Sequence, residues 1–153
     1  MGSGNFVSAA LPSVITHIDN AMKDNPEYMN NHNVNRFLLN NVDKHLTSIG
    51  IALERGAKVS EKIVDKYGKN LNRMVSRPYM KDCEIIIDSA GFQIQQNYLS
   101  GDQVKPFINL YHDEFLSKCS DLFQYAFNLD ISPGLNHCPF KSFDEIKQLN
   151  EYS

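Results

Sequence analysis

Apolar residues recur at Val59, Ile63, Tyr67, Leu71 and Met74, the three-to-four spacing of one helix face, and Pro78 closes the segment. The same spacing through Val42, Leu46, Ile49 and Leu53 predicts a helix stopping at Gly56, and a weaker stripe at Val14, Ile15, Ile18 and Met22 predicts another within 6–22. Pro12 suits that first helix's start. Lys23 to Asn35, rich in Asn and broken by Pro26, reads as loop. Arg36 to Asn40 is a short apolar run, read as the first strand or as the start of the helix after it. A different pattern follows. Ile85, Ile86 and Ile87 are contiguous and β-branched, so Glu84 to Asp88 predicts a strand covered on both faces, the usual state of a parallel sheet. Beyond a polar loop over Gln95 to Gly101, Asp102 can cap a long helix carrying Val104, Phe107, Ile108, Tyr111, Phe115 and Leu122, with Pro106 in its first turn. Phe123 to Asp130 predicts the next strand, and Ile131 to Lys141, with Pro133, Gly134 and Pro139, a loop. Ser142 and Glu145 form a capping box opening a last helix through Ile146 and Leu149.

Strands alternating with helices define an α/β chain. An aspartate closes each of two successive strands, Asp88 and Asp130. A crossover helix between them makes the strands parallel, so both acids should emerge at one edge of the sheet, the edge that carries function in α/β folds. Each acid also has a plainer reading, since an Asp at a strand end often only caps a turn. His17, His32 and His112 read as surface histidines, and the helical stripes as core packing.

Composition narrows the class. With 153 residues, 42% hydrophobic and 22% charged, the chain suffices for one core and fits neither disorder nor a membrane protein. It has no apolar run of transmembrane length and no secretory start, so a cytoplasmic protein is expected. Cys83, Cys119 and Cys138 are widely spaced and odd in number, which favours a reducing compartment over disulfides or a zinc site. The net charge is −3 and Lys and Arg look spread along the chain, which argues against strong polynucleotide binding by this chain alone.

The stretch Asp88-Ser89-Ala90-Gly91-Phe92-Gln93 resembles the Asp-Ser-Gly-Gly-Phe/Tyr-Gln signature of the tRNA-guanine transglycosylases, the queuine and archaeosine tRNA-ribosyltransferases, including phage and bacterial relatives that place 7-deazaguanines in DNA. Ala90 replaces the first glycine, a change that strains the turn if positive φ is needed there. Leu129-Asp130-Ile131-Ser132-Pro133 resembles, more loosely, the family's second acidic motif, which commonly has Glu where Ile131 stands.

The resemblance implies the N-terminal portion of a (β/α)₈ TIM barrel as a single partial domain: an N-terminal helix and loop over 1–35, then about three βα units over 36–153. It implies exchange of guanine for a 7-deazaguanine in tRNA or DNA through a covalent sugar-enzyme intermediate. Asp88 would be the catalytic general base. Asp130 would accept the donors of the base's Watson–Crick edge, Phe92 would stack on the base, and Ser89, Gly91 and Gln93 would shape the pocket. The family's zinc cluster has no counterpart, so no metal or other cofactor is expected in this chain. The family's nucleophile is a third aspartate on a later strand, and no residue here is assigned to it. Activity would then require the remaining strands, whether from a longer product or a second chain completing the barrel. Two other readings stay open: a non-catalytic interaction subunit of such an enzyme, and an unrelated α/β enzyme fragment whose six-residue match is coincidence.

Overall fold

The computed structural model describes residues 7–8, 11–28, 44–131 and 142–153. Among these residues four parallel strands, β1 (Val7–Ser8), β2 (Lys44–Ser48), β3 (Glu84–Asp88) and β4 (Tyr125–Ala126), lie side by side in the order β1-β2-β3-β4. Between them run α1 (Leu11–Asp24), α2 (Glu61–Val75), the short α3 (Gly91–Gln95) and α4 (Gly101–Asn109), and α5 (Phe143–Tyr152) follows β4. The chain is therefore α/β with a parallel sheet. The centre of that sheet is the pair β2–β3, five rungs from Lys44 opposite Glu84 to Ser48 opposite Asp88.

β3 occupies Glu84–Asp88 as its three isoleucines predict, and all three are buried. α2 buries Ile63, Val64, Tyr67, Leu71 and Met74 and ends ahead of Pro78, which opens a 3₁₀ turn. Ser142 caps α5, its Oγ accepting from the Glu145 N–H at 3.2 Å. Tyr67, Phe115, Tyr111 and Phe107 fill the interior with Ile18, Leu71 and Ile87. Tyr67 and Tyr111 both pack a ring against Phe115.

Several expectations are corrected. The predicted helix through Val42, Leu46, Ile49 and Leu53 is strand β2 followed by a 3₁₀ turn over Ile49–Ala52. The periodicity misleads because β2 alternates about polar residues: His45 and Thr47 face inward and Leu46 is only half-buried. The helix expected within 6–22 begins at Leu11, because β1 precedes it. The strand expected at Arg36 to Asn40 lies outside the described residues, as do Cys138 and most of the loop after Ile131. Ser100, not Asp102, caps α4, and Pro106 stands inside the helix rather than in its first turn.

α4 runs directly into a π-helical segment, Leu110–Leu116. In an α-helix, positions four apart drift by about 40°, so Phe107, Tyr111, Phe115 and Cys119 would spiral off one face. The wider π turn offsets that drift, and all four are buried. α2 also changes the picture of scattered charge. Lys62, Lys66, Lys69 and Arg73 follow at intervals of four, three and four residues, so the helix gathers them on one exposed flank. No helix among the described residues is long and apolar enough to cross a membrane.

Candidate functional site

The site is built where β3 ends. Asp88 is the last residue of the strand, half-buried and paired in register with Ser48. Ser89 turns inward, and its hydroxyl donates to the Asn128 carbonyl at 2.9 Å. Ala90 takes the left-handed conformation, φ 69 and ψ 20, with its methyl group fully buried. The strain foreseen for alanine at this turn is thus present, of order 1–2 kcal/mol.

Gly91 explains why the turn must be so tight. A Cβ added there would lie 2.1 Å from the carbonyl oxygen of Asp130, so only glycine lets these two segments meet. The contact joins the two acidic motifs, though through backbone. The Asp130 side chain is exposed, and the residue stands four positions past the end of β4 instead of closing it, because the strand spans only Tyr125–Ala126. The segment beyond β4 is held by α5 instead. Leu129 N–H donates to Ser153 Oγ at 2.8 Å, and the Asn150 amide accepts from Ile131 N–H at 2.9 Å and donates to its carbonyl at 3.1 Å.

Phe92, on α3, is 62% exposed, an aromatic ring offered to solvent beside the turn. Gln93 reaches the other way, toward the turn after β2. A Cβ on Gly50 would meet its side-chain amide at 2.2 to 2.8 Å, so Gly50 is what makes room for it. The Gln93 Oε1 is buried with no hydrogen-bond partner among the described residues.

Two further side chains bear on Asp88, and periodicity had marked both only as core. Burial pushes the hydroxyls of Tyr67 and Tyr111 well above the ordinary tyrosine range, and the charge of Asp88 pushes both further the same way. Tyr67 is tied to Thr47 Oγ1 at 3.2 Å, whereas Tyr111 donates to the Phe127 carbonyl at 2.9 Å. Both phenols are therefore neutral donors near a carboxylate. Nothing in a helical stripe distinguishes such a tyrosine from one that only packs. His45, on the buried face of β2, is a third polar residue that the sequence reading passed over.

Among the described residues no group of three or more His, Cys, Asp or Glu side chains is arranged to hold a metal ion. The chain matches no protein-family model, no curated protein and no solved structure.

Proposed function

We propose that the turn after β3 is a purine-binding site, and that the chain carries the base-binding part of a guanine transglycosylase acting on tRNA or DNA. The observation that carries the reading is the Gly91–Asp130 contact, which brings the segment beyond β4, with its acid, against the turn after Asp88 at one edge of a parallel sheet. Asp88 accepts a proton from the base as general base. Asp130 accepts from the N1–H and 2-amino donors of a guanine-type edge, and Gln93, packed against Gly50, shapes the pocket from the side of the turn after β2. Phe92 stacks on the ring, and Ser89 and Gly91 fix the turn's shape. The nucleophile that would hold the sugar is not among these residues.

Strand order supports a barrel over a doubly wound sheet. Doubly wound folds reverse order at the binding crevice, whereas in a barrel each strand lies beside its predecessor, as β1 to β4 do. Among the described residues the outer edge of β4 is unpaired, and Tyr125 and Phe127 are 54% and 57% exposed, which suits the addition of a further strand. The same edge favours the second reading, a non-catalytic interaction subunit in which the turn only braces the sheet.

Calorimetry with guanine and 7-deazaguanine separates the two. Binding should weaken at least tenfold in Asp88→Asn and by about 1–3 kcal/mol in Phe92→Ala. No detectable binding by the wild-type chain at millimolar base would leave the subunit reading.

A further inference from the structure

We propose that the exposed flank of α2, formed by Lys62, Lys66, Lys69 and Arg73 and extended by Arg55 and Lys58, binds the phosphodiester backbone of a polynucleotide, an inference that rests on the base-binding reading of the neighbouring turn. Residues 54–77 hold seven of the chain's fifteen basic residues and three of its eighteen acidic ones. The net charge of −3 therefore hides a strong asymmetry, with the negative charge carried by the rest of the molecule. From Lys62 to Arg73 the stripe runs about 16 Å along the helix, a span of several phosphates on one strand.

The acidic residues of α2 do not interrupt it. Asp65 borders the stripe, three residues from Lys62 and four from Lys69, and Glu61 lies further round the helix; the charges of both also act on Lys118. Lys58, Lys62 and Lys69 have no carboxylate partner among the described residues. Lys66 meets Glu54 at 3.3 Å, but both side chains are more than half exposed, and a surface pair of that kind contributes little that a phosphate could not replace. Arg77 stands apart, because Asp19 already holds its guanidinium at 2.6 Å.

Position decides which polyanion fits. The loop that opens the stripe leans on the segment that closes the candidate site. Arg55 donates to the Gln96 carbonyl at 3.1 Å and covers the Tyr98 ring at 4.6 Å, Gly56 N–H donates to the Tyr98 carbonyl, and Val59 N–H donates to Gln103 Oε1 at 2.8 Å. Gln96 comes directly after the helix bearing Phe92 and Gln93. A strand whose base enters at Phe92 thus meets cations on leaving it. An anionic membrane is the poorer fit, since surface-binding helices insert apolar residues and the apolar face of α2 is spent on the core.

The test is fluorescence anisotropy of a labelled twenty-nucleotide single strand at 50 and 200 mM salt, with guanine calorimetry in parallel. The triple variant Lys62→Gln, Lys66→Gln, Lys69→Gln should bind the oligonucleotide at least tenfold more weakly at 50 mM salt. Its slope of log K against log salt should fall by about 2. The corresponding Lys→Arg triple should bind like wild type, and both should keep the wild-type circular dichroism, since the sites are exposed and glutamine and arginine are good helix formers. Weakened oligonucleotide binding with guanine binding unchanged in the Gln triple supports the proposal. Stripe-dependent oligonucleotide binding without guanine binding also supports it, while removing the base-site reading. Equal oligonucleotide binding by wild type and the Gln triple would overturn the proposal, as would wild-type binding to phosphatidylserine vesicles but not to the oligonucleotide.

Discussion

Ala90 and Gly91 are adjacent, yet their demands on the backbone are opposite in kind. Ala90 needs conformational freedom it lacks, since φ 69 costs an alanine what it would not cost a glycine. Gly91 needs space, since the Asp130 carbonyl occupies the place of a side chain. Ala90→Gly should therefore stabilise the fold by up to about 1 kcal/mol, the relief of strain being partly offset by the lost buried methyl and the freer unfolded chain. Gly91→Ala should destabilise it by about 1–3 kcal/mol or more, because a backbone carbonyl cannot step aside as a flexible side chain can. Urea midpoints of the two variants test both signs. A loss of stability above 1 kcal/mol in Ala90→Gly would mean that packing of the methyl outweighs the strain. The left-handed turn was legible in the sequence as a possible strain at Ala90. The Gly91–Asp130 contact was not, because it joins residues 39 apart through a backbone atom that no pattern of side chains marks.

At the scale of elements, legibility followed the chemistry of the buried face. β3 and α2 could be read because their buried positions are apolar, three in a row in β3 and at helical spacing in α2. β2 could not, because it buries His45 and Thr47 and leaves Leu46 half-covered, so an alternating strand presented itself as a helical stripe. β4 is shorter than the run Phe123 to Asp130 suggests: Phe127 looks like strand core but is exposed and lies beyond the strand. The contact that ties α1 to the turn after α2 was equally invisible. Asp19 accepts from Arg77 Nε at 3.0 Å and Nη2 at 2.6 Å, and from the Tyr79 hydroxyl at 3.0 Å. The Arg77 hydrogen bonds lower the Asp19 pKa, with partial burial opposing them. A lowered folded-state pKa means stability that is fully present above the ordinary carboxylate value and lost as pH falls through the lowered one. Asp19→Asn should cost about 1–2 kcal/mol at pH 7, and the difference from wild type should shrink below about pH 4, where the unfolded carboxylate is itself protonated. Denaturant titrations of both proteins at pH 7 and pH 3 measure this. A difference that stays constant across that range would show that the charge of Asp19 contributes nothing.

For the whole molecule, the α/β class and the parallel sheet were legible from alternation alone, whereas Asp130, expected to close its strand, stands four positions beyond β4. What alternation could not supply was the means of holding β4's continuation, which falls to the side chains of Tyr111 and Ser89 and, at the end of α5, of Asn150 and Ser153 rather than to further strand pairing. The order β1-β2-β3-β4 has a consequence for time rather than for shape. The paired residues Val7 and Lys44, Lys44 and Glu84, and Ile86 and Tyr125 show that every rung closes a similar, moderate length of chain, and none waits for a distant segment. Such a sheet can grow by one strand at a time as the polypeptide leaves the ribosome, with the five-rung β2–β3 pair as the first stable unit and α5 as the final clasp. Stopped-flow kinetics should then divide the core by order of arrival: Ile85→Val should mainly slow folding, while Ile131→Val, in the segment secured last, should mainly hasten unfolding. The reverse division would mean that the molecule begins from its far edge.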